Sequence, residues 1–355
     1  MPNASGYFRT RYSEDFALLD TRTQRASLAA FAALVLAFPF AATPLAMDLA
    51  NQVLLASIGA VALMLLTGFA GQISLGHAGL LAAGAFTAGI LFKEFAAPFW
   101  VTLPAAAGTG AVLGLVFGLP SLRLRGLYLA VSTLGLHFVV VYLGGEYETR
   151  RGFSTGILID PPALGGWVLA SARGWYFALL GLAAACVLFS LNLLRSRTGR
   201  AWKALRGNEA VAEALGVHVA SYKLLAFVVS SAMTAAAGCV FAYYRGFVSV
   251  EAFSLYLSIQ YVAMVIIGGM GSILGALLGA AFVVIFPYAI EWLTGALPLP
   301  PRVAQQVFAI NYTAFGAVMI LFLVFEPQGL VGIWRRAQNY FLLWPFKRTP
   351  LAAGK

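Results

Sequence analysis

The chain has 355 residues, 61% of them apolar and 10% charged, with a formal net charge of +10 and a mean hydropathy of +0.86. Soluble domains carry about 45–50% apolar and 25% charged residues, so an aqueous fold would leave much of this apolar surface in water. Those figures exclude most water-soluble folds and place the chain in a membrane.

The first 25 residues carry four arginines and three acidic residues. That is too mixed for a cleaved signal peptide, and the segment is expected to be a cytoplasmic tail. Eight charge-free stretches follow: 22 residues after Arg25, 44 between Asp48 and Lys93, 28 after Glu94, 20 after Arg125, 21 after Arg173, 21 after Lys223, 39 between Glu251 and Glu291, and 23 after Arg302. A helix needs about 20 residues to cross the hydrocarbon. Six stretches then hold one span each and the two long ones hold two. This predicts an all-α polytopic membrane protein of about ten spans (eight to ten) over residues 26–326, with a second cytoplasmic tail at 327–355. No linker or low-complexity segment divides it.

Ten is even, so both termini are expected on one side of the membrane. Alternating from the N-terminus, seventeen Lys and Arg fall on that side and six on the other, which makes it the cytoplasmic one. The positive excess is then a topology signal and an attraction to anionic lipid rather than a nucleic-acid footprint.

Each long stretch carries a glycine cluster near its middle, GFAGQISLGHAG at 68–79 and GGMGSILGALLG at 268–279. Glycine lets a helix unwind or another backbone approach, and unwound backbone in a membrane survives only beside protein or a water-filled cavity. Such breaks supply ligand contacts in transporters, but the same residues would serve tight turns at the cytoplasmic surface, and spacing leaves both open. Gln72, Ser74, His77 and Ser272 could meet a polar solute or bond neighbouring backbone. Between the clusters, Gly110-x-x-x-Gly114-x-x-x-Gly118 marks a close helix contact. His137, alone in the fifth span, is expected to be a hydrogen-bonded bundle residue. Glu291, near the outer end of the ninth span, is expected to reach the interface.

The three histidines, His77, His137 and His218, are scattered, and Cys186 and Cys239 lie in apolar runs, so neither an enzyme site nor a metal site is expected. There is no G-x-x-x-x-G-K-[ST] string with which this chain could itself hold ATP. No Asp, Glu, Lys or Arg interrupts the apolar runs, which argues against a proton- or sodium-driven carrier.

The inner loop, 195–223, is the most informative polar segment. Within GRAWKALRGNEAVAEALG, from Gly199 to Gly216, Asn208 is a helix N-cap, Glu209 suits the positive helix end and Gly216 can stop the helix. Val211 and Leu215, four apart, share a face. A helix of about seven residues does not hold by itself, so it is expected to lie on lipid headgroups or to seat in a cytoplasmic partner.

Glu209, Ala210, Glu213, Ala214 and Gly216 resemble the cytoplasmic coupling motif of ABC-importer permeases, one residue off its usual E-A-A-x-x-x-G spacing. GQISLGHAG (71–79), RLRGLYLAVSTL (123–134), SRTGRAWKALRGNEAVAEALGV (196–217), SYKLLAF (221–227), GGMGSILG (268–275) and PQGL (327–330) are similar, in the same order, to the LivM-type permeases of branched-chain amino acid importers. The resemblance covers residues from about 50 to 333. It implies a subunit of the bacterial cytoplasmic (inner) membrane that is not itself an enzyme and binds no cofactor. Its partners would be a LivH-type permease in a heterodimer, two cytoplasmic ATPases carrying ATP and Mg, and an extracytoplasmic solute-binding protein. Gly199, Arg200, Arg206, Asn208, Glu209, Ala210, Glu213, Ala214 and Gly216 would couple the chain to an ATPase. Gly71, Gln72, Ser74, His77, Gly268, Gly269, Gly271 and Ser272 would line the pathway. The outer loop reads FSTGILIDPPALGG at 153–166, where relatives often carry T-G-G and, further on, G-I-P, a departure at the surface where the binding protein would dock. The solute so implied is leucine, isoleucine or valine. Urea, short amides and aromatic acids are the alternatives within the family, and a stand-alone secondary carrier is the alternative outside it.

Overall fold

A computed structural model describes residues 22–122, 124, 126–153, 156–164, 167–296 and 307–343. Residues 1–21 and 344–355 of the expected tails, and Arg123, Arg125 and Arg302 of the expected charge pattern, lie outside the described residues. The chain divides into two compact units, one ending at Asp48 and one beginning at Leu49. The first contains α1 (Arg22–Ala41), whose apolar part Ala26–Ala41 includes Pro39.

The second unit takes in α2 (Pro44–Leu63) from Leu49 onward, which continues as a π-helix over Met64–Phe69, then α3 (His77–Phe95), α4 (Phe99–Ser121), α5 (Leu127–Arg151) and α6 (Ala172–Arg195). The inner loop folds as α7 (Arg197–Gly207) and α8 (Glu209–Ala214). Then come α9 (Val219–Arg245), α10 (Leu255–Gly268), α11 (Ile273–Ala296), α12 (Val307–Phe325) and α13 (Gly329–Leu343). Among the described residues, four two-residue strands depart from an otherwise helical architecture. β2 (Ala163–Leu164) and β3 (Trp167–Val168) form a hairpin, while β1 (Ile157–Leu158) pairs antiparallel with β4 (Phe247–Val248), tying the loop after α5 to the end of α9.

The protein is a polytopic helical membrane protein, but ten spans is a correction to make. Seven described helices are long and apolar enough to cross, or eight if Ala309–Phe325 and Gly329–Gln338, bent by 53°, count as one span. Each of the eight charge-free stretches does contain the expected helices. The shortfall lies in two of them, the apolar part of α1 and α10. At 1.5 Å per residue the 14 residues of α10 reach about 21 Å, against about 30 Å of hydrocarbon. It stops at Gly268 because Gly269, with φ of 111°, leaves helical space. Counting charge-free residues fixes the length of the 39-residue run but not where inside it the break falls.

Helix α3 forms the middle of the second unit, buried almost continuously from His77 to Gly89 against α4, α5 and α9. Lipid tails are as apolar as a helix surface, so packing of this kind relies on small residues that let backbones approach. A Cβ on Gly84 would run into the Ala235 carbonyl, and one on Gly238 into that of Leu81. The Gly110, Gly114 and Gly118 stripe on α4 seats against Ser231, Phe227 and Leu224 of α9, the contact its spacing predicts. His137 is a buried bundle residue as expected, but its Nδ1 has no hydrogen-bond partner among the described residues.

Candidate functional site

The α7–α8 segment is short, capped and tethered. Asn208 stands at φ −162° and its side-chain oxygen accepts from the Ala210 and Val211 amides at 3.0 and 3.2 Å, the N-cap that its residue type predicts. Six residues do not make a stable helix alone, and contacts on α9 hold both this one and α7 before it. The Glu209 carboxylate pairs with the Lys223 ammonium at 2.5 Å, and the indole of Trp202, wholly buried, donates to the Tyr222 carbonyl at 2.9 Å. Lys223 and Trp202 are residues of the candidate site that motif reading did not single out. The available signal was an indole inside a basic loop and a lysine at the start of a span. On α8 itself Ala212 is buried, while Val211 and Leu215 are 55% and 77% exposed and Glu213 is exposed. An open groove of about 580 Å³ runs beside it, lined by Glu209, Glu213, Gly216 and Lys223 among others.

The other expected coupling residues divide. Gly199 is buried where a Cβ would meet the Leu194 backbone, and Arg200 donates back to the Arg195 carbonyl at 2.9 Å, so both serve the turn between α6 and α7. Arg206, in the last turn of α7, is an exposed residue whose guanidinium reaches across to the first glycine cluster. Its guanidinium donates to the Gly68 carbonyl oxygen in the π-helix, and it lies against Gly271, where a side chain would displace it. Gly71 sits over the Arg206 backbone, with room for a Cβ only at 3.4 Å from its Cα. The two glycine clusters also meet each other: the Gly271 amide donates to the Met64 sulfur at 3.3 Å, and a Cβ on Gly68 would stand 2.9 Å from the Gly271 nitrogen. The chain thus brings 68–71, 271 and Arg206 to one place.

In the first cluster the helix unwinds for seven residues between Phe69 and His77. Its freed donors are met from other helices: Leu75 N–H by Thr133 Oγ1 on α5 at 3.0 Å, and Ala78 N–H by Ser258 Oγ on α10 at 2.9 Å. This is irregular backbone buried in protein, the condition a membrane imposes. Gln72, Ser74 and His77 are all buried there. The His77 ring tilts on the Tyr261 ring at 4.6 Å, and its Nδ1 lies 3.5 Å from Thr234 Oγ1. Neither Nε2 of His77 nor either amide atom of Gln72 has a hydrogen-bond partner among the described residues. The second cluster is different. Gly268 packs on the Gly275 carbonyl, Gly269 approaches the Gln328 carbonyl, and Ser272 accepts from the Gly275 amide at 3.3 Å as a helix cap. Gly268, Gly269 and Ser272 shape a hairpin between α10 and α11, and they are not brought into the polar cluster around His77.

The family described as "Branched-chain amino acid transport system / permease component" matches residues 45–325. The high-affinity branched-chain amino acid transport system permease protein LivM of Salmonella typhimurium is 32% identical over 339 residues, covering 89% of this chain and 76% of that protein, and LivM of Escherichia coli K12 matches equally. More distantly, the autoinducer 2 import system permease protein LsrC of Enterobacter sp. is 30% identical over 244 residues, covering 61% of this chain and 68% of that one. No solved structure matches the chain. With a multi-pass helical bundle, a capped helix between spans and this similarity over most of its length, the chain belongs to the branched-chain amino acid transport system permease family, LivM type.

Proposed function

We propose that the chain is one membrane subunit of an ATP-driven importer for leucine, isoleucine and valine in the bacterial inner membrane, with both termini cytoplasmic. Its partners are a LivH-type permease, two cytoplasmic ATPases that carry the ATP and Mg, and an extracytoplasmic solute-binding protein. The observation that carries this reading is Arg206, which reaches from the α7–α8 segment to Gly68 and Gly271 at once. Helix α8, with Val211, Leu215 and Glu213 turned outward, supplies the face an ATPase would grip. Movement of the segment is then conveyed to the breaks at 68–79 and 268–279, and ATP shifts the bundle between its two facings only through a difference in the ATPases' interaction with each. The six Lys and Arg from Arg195 to Lys223, against Arg173 and Arg245 at the far ends of α6 and α9, support placing α8 inside.

The test is uptake by proteoliposomes holding all the subunits. Leucine uptake should require ATP and the binding protein, and Glu213→Lys should abolish it while the complex still assembles. Glu213 is the cleaner probe, because a lysine at Glu209 would also face Lys223. Uptake by the chain in liposomes without ATPases would establish a secondary carrier instead, and normal uptake by the Glu213→Lys complex would remove the coupling role. A wild-type complex that imports urea, an amide or an aromatic acid but no branched-chain amino acid would move the assignment within the family.

A further inference from the structure

Between α2, α9, α10, α11 and α12 lies a cavity of about 830 Å³, within the range of ordinary small-ligand sites. Helix α9 runs 27 residues from Val219, beside the α8 turn, to Arg245 on the cavity wall, about 40 Å at 1.5 Å per residue. Glu291 reaches the same wall along α11, which starts beside Gly271. The cavity therefore opens at the end of the bundle remote from α7 and α8. Its floor includes Tyr261 and Met264, and the Tyr261 ring packs on His77. One ring thus separates the space from the buried His77 imidazole.

The lining has three parts. Arg245 offers a guanidinium, stacked 5.7 Å over Phe241, and Glu291 offers a carboxylate. Both side chains are exposed, and neither forms an ion pair among the described residues. Leu257, Met264 and Val283 add apolar wall to the same space. Here one charge of each sign and an aliphatic surface line one space, which matches a molecule carrying a carboxylate, an ammonium and an aliphatic side chain.

We propose that this cavity is where solute enters the permease and that it receives an α-amino acid as its zwitterion, with Arg245 on the carboxylate, Glu291 on the ammonium and the aliphatic wall on the side chain. This rests on the amino acid importer reading and adds the site. Two single charges in a wide space hold solute loosely, as a conducting path requires, and the charge-free interior beyond them leaves discrimination between zwitterions and uncharged molecules to this mouth.

The experiment uses the complete importer in proteoliposomes at saturating binding protein. Arg245→Gln and Glu291→Gln should each lower maximal leucine uptake tenfold or more, while binding-protein-stimulated ATP hydrolysis stays within twofold of the parent. Leucine uptake within twofold of the parent in both variants overturns the proposal, since the two groups then merely face lipid headgroups. Should ATP hydrolysis fall as well, labelling decides. With Cys186 and Cys239 replaced by alanine, Gln260→Cys on the cavity wall is treated with a membrane-impermeant maleimide; protection by leucine supports the site, and an unchanged rate rejects it. A parent complex that imports a different α-amino acid sinks the branched-chain reading alone, and the two variants are then compared with that solute. One that imports only uncharged solutes overturns both.

Discussion

The Arg206 guanidinium donates to the Gly68 carbonyl oxygen across 138 positions of sequence, fastening the last turn of α7 to the π-helical end of α2. A hydrogen bond from a charged donor is worth about 1.5–3 kcal/mol, and each 1.4 kcal/mol is about a factor of ten in an equilibrium. Arg206→Ala should therefore raise the ATP hydrolysed per leucine imported by about tenfold, with little loss of assembled complex. Arg206→Lys, which keeps the charge but not the planar fork, should fall between. An unchanged ratio in the alanine variant would mean that the coupling runs through other contacts.

The Glu209–Lys223 pair makes a separate point about why α8 stays folded. Lys223 is 7% exposed and the Glu209 side chain 32%. Removing one member of a fully buried pair costs about 3–5 kcal/mol, and the half-open position of Glu209 brings the expectation down to about 1–3 kcal/mol after screening by water. Glu209→Gln should lower the thermal midpoint of the purified chain in detergent, and the swapped pair Glu209→Lys with Lys223→Glu should recover most of the loss. If the swap is no better than either single change, Lys223 is not the partner that matters.

Close helix contacts give a third expectation. On α3 a Cβ at Gly84 meets the Ala235 carbonyl, whereas at Gly108 on α4 nothing lies within 4 Å. Overpacking a tight contact costs about 1–3 kcal/mol, while an alanine in an open helix position gains a few tenths in propensity, up to about 1 kcal/mol. Gly84→Ala should thus destabilise the protein and Gly108→Ala should not. Equal midpoints for the two would contradict the interhelical distance drawn here.

How far the amino-acid order discloses this arrangement depends on the kind of interaction. Asn208, Glu209 and Gly216 announce α8 because a cap, a charge and a stop are local chemistry. The Gly110, Gly114 and Gly118 stripe is legible because small residues four apart can face only one way on a helix. The end of α10 is not, because the 39-residue run carries no charge to mark it. Nor are the partnerships of Arg206 with Gly68, Lys223 with Glu209 or Arg245 and Glu291 with one cavity, which join distant segments. In sequence Arg245 counts toward the topology and Glu291 only closes a charge-free stretch, and only the fold shows that they line the same space. Of the eight glycine-cluster residues expected along a pathway, Gln72, Ser74 and His77 are buried polar side chains at the unwound break. Ser272 instead caps α11, a role its type allows equally.

Gln72 separates a functional role from a structural one. Its side chain is 3% exposed and neither amide atom has a hydrogen-bond partner among the described residues. A buried, unsatisfied amide costs about 1–3 kcal/mol, and replacing it with an apolar group of the same size removes that cost. Gln72→Leu should then leave the thermal midpoint unchanged or raise it. If the amide is kept for passing solute, the same change should lower leucine uptake severalfold or more, with assembly and stimulated ATP hydrolysis intact. A more stable protein with undiminished uptake would place Gln72 off the path, and a less stable one would show that the amide has a structural partner after all.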